Sequence, residues 1–255
     1  MTGALPDAQG KLASLRAATP ARIFLPRAGT ALTTQANLKF QLDHAEARDA
    51  VAESLDAAAL VDALQLRGAK TIRVKSAAHD RRAYLLRPDL GRRLDDASRV
   101  RLACSAGAYD IAFVIADGLS ARAISSHAIT LLEEALPAFQ RNAWKLAPII
   151  IVEQGRVAIG DEIGEILGAA LVAMLIGERP GLSSPDSLGV YLTFAPRVGR
   201  TDAERNCLSN IRSQGMNYSE AAQRLFGLCN AARYRKLTGV GLKDEILIGK
   251  PDGQL

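Results

Sequence analysis

The sequence predicts an α/β fold: a Rossmann-like, doubly wound parallel sheet preceded by a mainly helical N-terminal region. Three observations predict it. Beyond residue 100, short apolar runs at 110–116, 148–152 and 171–176 alternate with stretches of helical period. Runs that are apolar throughout suit strands buried on both faces, the condition of a parallel sheet covered by helices on each side. Finally, 255 residues that are 48% hydrophobic and 23% charged can bury a sizeable core, a balance that excludes a disordered chain. Aromatic residues make up only 5%, and the heavy use of alanine favours closely packed layers.

The expected organisation is a flexible tail over 1–21, a helical region over 22–100 and the α/β domain over 101–255. The tail lacks the apolar stretch of a secretory signal, although Leu12 and Leu15 between Lys11 and Arg16 suggest a short amphipathic helix. From 33 to 66 the period is helical: Leu38, Leu42, Ala45, Ala52 and Leu55 form one stripe that only Asp49 breaks. Gly68 ends that run, 71–75 alternates as a half-exposed strand, and 87–91 reads as a turn into a helix over 92–103. The first apolar strand, 110–116, ends in Asp117-Gly118 and feeds a helix over 120–142. The strand 148–152 leads to a helix over 161–167 closed by Gly168, then comes the strand 171–176. A fourth strand over 190–194 and a helix over 218–234 complete the pattern. No apolar run approaches the roughly 18–20 residues that span a bilayer.

Charge and motifs exclude several classes. Lys and Arg total 32 against 27 Asp and Glu, a net charge of +5. Basic residues crowd 67–101, including Arg81, Arg82, Arg92 and Arg93, but Tyr84 is the lone aromatic among them. Without stacking aromatics or a recognition motif this cluster reads as a solvated or protein-docking face, not a nucleic-acid surface. There is no GxGxxG after a strand, and Gly239-Val240-Gly241 lacks the third glycine. Walker, HExxH and GxSxG patterns are absent too. His44, His79 and His127 have no metal-ligand spacing. Cys104, Cys207 and Cys229 lie far apart, which fits a reducing cytoplasm.

In an open parallel sheet, ligands collect beyond the carboxyl ends of the strands. Three segments are expected there: 152–164, 175–187 and 200–211. Glu178 follows a buried strand directly, so its carboxylate needs a donor or a cation, and Arg179 is the nearest cation. Pro-Gly and Ser-Pro-Asp in 179–187 are also ordinary turn chemistry. Cys207, taken alone, reads as a small buried apolar residue.

Together these segments resemble the small (light) chain of ethanolamine ammonia-lyase, an adenosylcobalamin-dependent enzyme. The resemblance runs from about Arg22 to about Asp244. It is carried by Arg27-Ala28-Gly29-Thr30, Phe40-Gln41-Leu42-Asp43-His44-Ala45, Arg87-Pro88-Asp89-Leu90-Gly91-Arg92-Arg93-Leu94 and Val114-Ile115-Ala116-Asp117-Gly118-Leu119-Ser120. Gly160-Asp161-Glu162-Ile163-Gly164-Glu165, the stretch 175–187 and Arg205-Asn206-Cys207-Leu208-Ser209-Asn210-Ile211 continue it. Each segment alone is weak; their shared order is specific.

The resemblance implies a lyase that converts ethanolamine to acetaldehyde and ammonia and is active only with a large TIM-barrel subunit that holds the substrate. The small chain then forms one wall of the cobalamin site, with cofactor contacts mapping onto Val157, Glu178 and Cys207 and no catalytic acid or base on this chain. Asp43-His44 and Ser126-His127 do not fit the Asp-x-His-x-x-Gly loop that supplies a protein ligand to cobalt, so a base-on cofactor is expected. The implied assembly is a hetero-oligomer with several copies of each chain, without nucleic acid or membrane, in the cytoplasm or inside a bacterial microcompartment. The region 22–100 is the expected docking surface for the large subunit. Two other readings stay open: a non-catalytic module that holds oligomers together, and a standalone α/β enzyme using the loop 178–187.

Overall fold

Alternating side chains on a central strand set the architecture of the computed structural model, which describes residues 8–19 and 21–243. The expected tail and the C-terminal end of the α/β domain fall partly outside these residues.

The described chain opens with helix α1 (Ala8–Ala17), the hairpin β1 (Arg27–Ala28) and β2 (Ala31–Leu32), and helices α2 (Thr34–Ala52) and α3 (Ala57–Gln65). Then come β3 (Thr71–Lys75), α4 (Arg81–Leu86), a 3-10 turn at Leu90–Arg92 and α5 (Asp96–Ala103). The strands and helices β4 (Tyr109–Ala116), α6 (Ala121–Arg141), β5 (Ile149–Glu153), α7 (Ile159–Leu167) and β6 (Ala169–Gly177) follow. The chain closes with β7 (Leu188–Phe194), β8 (Arg205–Ile211) and α8 (Tyr218–Arg235), with 3-10 turns at Asp202–Glu204 and Gly239–Gly241. Side-chain oxygens cap the helices where the sequence offers them: Thr33, Asp56, Asp80, Asp95, Ser120 and Asn217 each accept a first-turn amide.

The six-stranded sheet has the order β3-β5-β4-β6-β7-β8. Its first four strands are mutually parallel, β7 runs antiparallel to β6, and β8 runs antiparallel to β7. The α/β class expected from the sequence is therefore present, with a mostly parallel sheet and an antiparallel flank. Strand β8 occupies residues expected to be loop. Its Leu208 and Ile211 are buried in the core, Arg205 is buried on the opposite face against Asp161, and Cys207, Ser209 and Asn210 are exposed, so apolar cover reaches this edge strand on one face only. The last 3-10 turn is held against β8 by the Asn206 side chain, which donates to the carbonyls of Gly239 and Leu242 and accepts from the Gly239 amide.

On β4, Ile111, Phe113 and Ile115 point into a core with α3, α6 and α8, while Ala112, Val114 and Ala116 point into another with α5 and α7. Each fully buried Ile or Phe contributes about 1.5–3 kcal/mol. Phe139 meets Phe113, Trp144 and Phe226 edge to face at centroid distances of 5.3, 5.2 and 5.0 Å.

Two expectations about the N-terminal region are corrected. The helical run of 33–66 breaks into α2 and α3 where Asp56 caps a new helix. The apolar stripe of α2 does not face the core either: Leu38 and Leu42 are 59% and 53% exposed, and Asp43 and Ala50 are the buried residues. Asp43 is held by Arg22 and by Lys39 at 2.7 Å, which turns the polar side of α2 inward. Among the described residues, no helix is long and apolar enough to cross a membrane.

Candidate functional site

The chain leaves β4 towards α6 on one face and leaves β5 towards α7 on the other. Adjacent strands whose exits part in this way open a crevice at the carboxyl rim. Asp117 closes the floor of it. Its carboxylate accepts from the amides of Gln154 and Gly155, both at 3.0 Å, and lies 3.5 Å from Arg81. Burial raises the Asp117 pKa to about 6, against the pull of Arg81 and of the amides around it. Arg81 also donates to the carbonyls of Gly118 at 2.8 Å and Val51 at 2.7 Å. One aspartate and one arginine thus fix the turn that carries Arg156 and Val157.

Gly118 lets the exits of β4 and β6 meet. Its φ is +55°, and a Cβ there would sit 2.3 Å from the carbonyl oxygen of Gly177.

Beside this rim, Tyr84 is 1% exposed and takes the guanidinium carbons of Arg81 and Arg156 at 4.7 and 4.5 Å from its ring centroid. Burial pushes its hydroxyl pKa up to about 12, so it stays a neutral donor, here towards the Gly155 carbonyl. Arg156 donates to the Tyr84 carbonyl at 3.0 Å, and its Nε is buried without an acceptor among the described residues.

Glu178 follows β6, as expected, but its partners are not Arg179. The carboxylate accepts from the Ser187 hydroxyl, from the Ser209 hydroxyl at 2.5 Å and from the Asn210 amide at 3.2 Å. The backbone turns back at this point, Glu178 N donating to Ser187 O at 2.9 Å, so donors reach it across the sheet instead of along the chain. Gly189 leaves the room: a Cβ there would lie 2.9 Å from Glu178 Oε1. Three donors hold the side chain as a fixed acceptor with about one lone pair, on Oε1, to spare.

Cys207 lies within β8 and not in a loop after a strand. It pairs in register with Tyr191 of β7, so the two side chains are cross-strand neighbours. Crowding by neighbouring atoms raises the thiol, although the residue as a whole is exposed. Leu188, Val190, Leu192, Leu208 and Ile211 face the other way, into the core under α8. Gly189, Tyr191 and Cys207 therefore form a shelf on the opposite face of β7–β8, beside α7.

These parts converge. Val157, Glu178 and Tyr191 line one cavity of about 450 Å³ together with Gly118, Leu119 and Arg156, and Cys207 is the cross-strand neighbour of Tyr191. Val157 and Glu178 thus share one cavity, which Cys207 joins through its neighbour. Tyr84 and Tyr191 are lining residues outside the segments expected to hold a ligand, whereas Arg156 falls within the expected stretch 152–164. Tyr84 had a signal, as the lone aromatic in the basic cluster; Tyr191 had none without the strand register.

The histidines are placed elsewhere. His127 is buried on α6, its ring nitrogens 2.9 Å from the Tyr218 hydroxyl and 3.2 Å from Asp186, while His44 and His79 are exposed. No cluster of three or more His, Cys, Asp or Glu residues able to hold a metal ion occurs among the described residues.

The profile of the ethanolamine ammonia-lyase light chain (EutC) family matches residues 9–243. Curated relatives named ethanolamine ammonia-lyase small subunit agree. One from Xanthomonas campestris pv. campestris is 56% identical over 91% of this chain and 87% of its own length. One from Azotobacter vinelandii is 53% identical over 99% and 95%, and one from Pseudomonas aeruginosa is 53% identical over 98% and 94%.

Proposed function

The chain belongs to the ethanolamine ammonia-lyase light-chain family, and from that premise we propose that its shelf forms one wall of a cobalamin site completed by a large subunit. It is the small subunit of a carbon–nitrogen lyase by homology; the cofactor wall is our own reading. The observation that carries it is the open face of β7–β8, with Tyr191 and Cys207 on it and Val157 and Glu178 at its border.

The residues fit the group. A corrin is a flat, apolar disc rimmed by amide side chains, and it needs a shallow surface with a few placed acceptors. Tyr191, Val157 and Leu119 offer the surface, Gly189 and Cys207 keep it low, and Glu178 offers a fixed acceptor to an amide N–H. Asp117 and Arg81 hold the turn under Val157. When bound, adenosylcobalamin supplies the radical through its cobalt–carbon bond. This chain supplies binding, orientation and exclusion of water on one side, and none of its residues serves as acid or base. His127 is already engaged by Tyr218 and Asp186, which favours a cofactor that keeps its own benzimidazole.

The region 22–100 docks the large subunit in this reading. Its support is the number of outward apolar side chains it carries: Phe24, Leu32, Leu38, Phe40 and Leu42 are each at least 40% exposed. Several copies of each chain assemble, in the cytoplasm or a microcompartment.

Co-purifying the chain with its large partner and titrating cobalamin against the visible spectrum tests the proposal. Cys207→Trp fills the shelf and Glu178→Ala removes the acceptor; together they abolish co-elution of the corrinoid while leaving the two-chain complex intact. Undiminished corrinoid binding by that variant refutes the assignment. The isolated chain releases no acetaldehyde from ethanolamine, and in a holoenzyme with nitrogen-labelled histidine, paramagnetic resonance shows no label coupling to cobalt.

A further inference from the structure

We infer that His127, on the covered face of the sheet, is a positioning residue for Glu178 on the open face, acting through Asp186 and Ser187. This inference rests on the reading of Glu178 as a corrinoid contact.

His127 sits where an apolar residue is the simpler choice. The buried face of α6 carries Ala123, Ile124, His127, Ala128 and Leu131, and His127 itself is 5% exposed. A buried imidazole costs free energy unless its nitrogens are satisfied, and here both are. The Asp186 carboxylate only accepts, so Nε2 carries the hydrogen and donates to it at 3.2 Å, while Nδ1 accepts from the Tyr218 hydroxyl at 2.9 Å. The ring is therefore held by α8 and aimed at the loop 178–187. A leucine would fill the same space; what the imidazole adds is a fixed direction for Asp186.

Strand alternation carries that direction across the sheet. The pairing of β6 with β7 ends at Gly177 opposite Leu188, and Glu178 N donating to Ser187 O extends it to Glu178 opposite Ser187. Successive side chains of an extended chain point to opposite faces. Asp186 accordingly reaches α6 on the side of Leu188 and Val190, while Ser187 reaches Glu178 on the side of Gly189 and Tyr191. Ser120, the N-cap of α6, adds a second anchor by donating to the Pro185 carbonyl at 2.8 Å. The tip of the loop closes on itself, through bonds between Gly181 and Ser184 at 3.0 and 3.2 Å. The anchors on α6 thus decide how Ser187 meets Glu178, although α6 lies on the far side of the sheet from the shelf.

The test is a double-variant cycle on the two-chain complex, titrated with hydroxocobalamin by visible absorbance, with hydrogen exchange of the Glu178 amide as a second readout. Asp186→Ala removes the anchor at a half-buried position and leaves the core packing intact. It should raise the hydroxocobalamin Kd about tenfold, speed exchange at Glu178 and move the Tm little, because the loss is one of preorganisation. Asp186→Asn, which keeps an acceptor oxygen, should restore most of the affinity. His127→Leu should cost as much affinity as Asp186→Ala, and the double variant no more than either alone. Unchanged affinity in Asp186→Ala, with or without a fall in Tm, assigns the bond to stability alone and overturns the inference while the cofactor wall stands. Additive losses in the double variant overturn it too, since the two residues then act separately. If His127→Leu does not fold, the contrast between Asp186→Ala and Asp186→Asn decides. A wild-type complex that binds no hydroxocobalamin removes the proposed function, and this inference falls with it.

Discussion

Replacing Arg205 by Met should destabilise the chain by about 3–5 kcal/mol, and replacing Asp161 by Leu as well should restore most of that loss. Both side chains are 2% exposed. Arg205 also donates to the Thr193 hydroxyl at 3.1 Å and the Arg200 carbonyl at 2.9 Å. A methionine keeps the volume but strands the Asp161 carboxylate in a buried site, where an uncompensated charge costs far more than the intact pair contributes. The apolar double variant removes both charges and with them the desolvation penalty. Urea denaturation followed by Trp144 fluorescence reads the change, since this is the single tryptophan of the chain and it packs against Phe139. Acidity supplies an independent sign. Burial already holds the Asp161 pKa above its ordinary value, against the pull of Arg205. A carboxyl raised in the folded state favours folding fully below its unfolded pKa and loses that contribution as pH rises through the folded one. The Arg205→Met deficit should therefore shrink as pH falls towards the ordinary carboxylate range and the stranded Asp161 takes up a proton. A single-variant loss under about 1 kcal/mol, or a double variant no better than the single, refutes the reasoning.

Asp117, with a folded pKa of about 6 against its ordinary value of 3.8, should oppose folding increasingly as pH rises through that interval, by up to about 3 kcal/mol. Asp117→Asn should flatten the stability profile there, as measured by urea titrations at several pH values. Gly118→Ala, which combines a positive φ with the Gly177 carbonyl at 2.3 Å, should cost about 2–4 kcal/mol and lower the Tm of the chain. Gly189→Ala pushes on Glu178 Oε1 at 2.9 Å; it should weaken corrinoid binding by about tenfold with a much smaller change in Tm.

Much of the fold was legible because it depends on local hydrophobic pattern. The strand expected over 110–116 is β4, Tyr109–Ala116, and that over 148–152 is β5, Ile149–Glu153; continuous apolar runs are buried on both faces wherever they lie in the sheet. Strand β8 escaped notice because only one of its faces meets apolar neighbours, so Asn206, Ser209 and Asn210 dilute the signal. The stripe of α2 was visible, but periodicity does not say which partner covers it. At the site, the position of Glu178 could be read from the end of an apolar strand. Its true partners could not, because Ser187, Ser209 and Asn210 come to it through strand pairing over distances of up to 32 residues. The pairing of Tyr191 with Cys207 likewise depends on a register that no single segment encodes.

The bond between Asn206 and the turn at Gly239–Gly241 carries a consequence for biosynthesis. The last strand leaves the ribosome roughly thirty residues before the turn that packs beside it through Asn206, which at ordinary translation rates amounts to a few seconds. During that interval the nascent polypeptide displays a bare row of amides and carbonyls to any neighbouring chain, a template for misassembly. Truncation ahead of residue 239 makes that transient hazard permanent, so shortened versions should precipitate on expression even though every buried strand remains encoded.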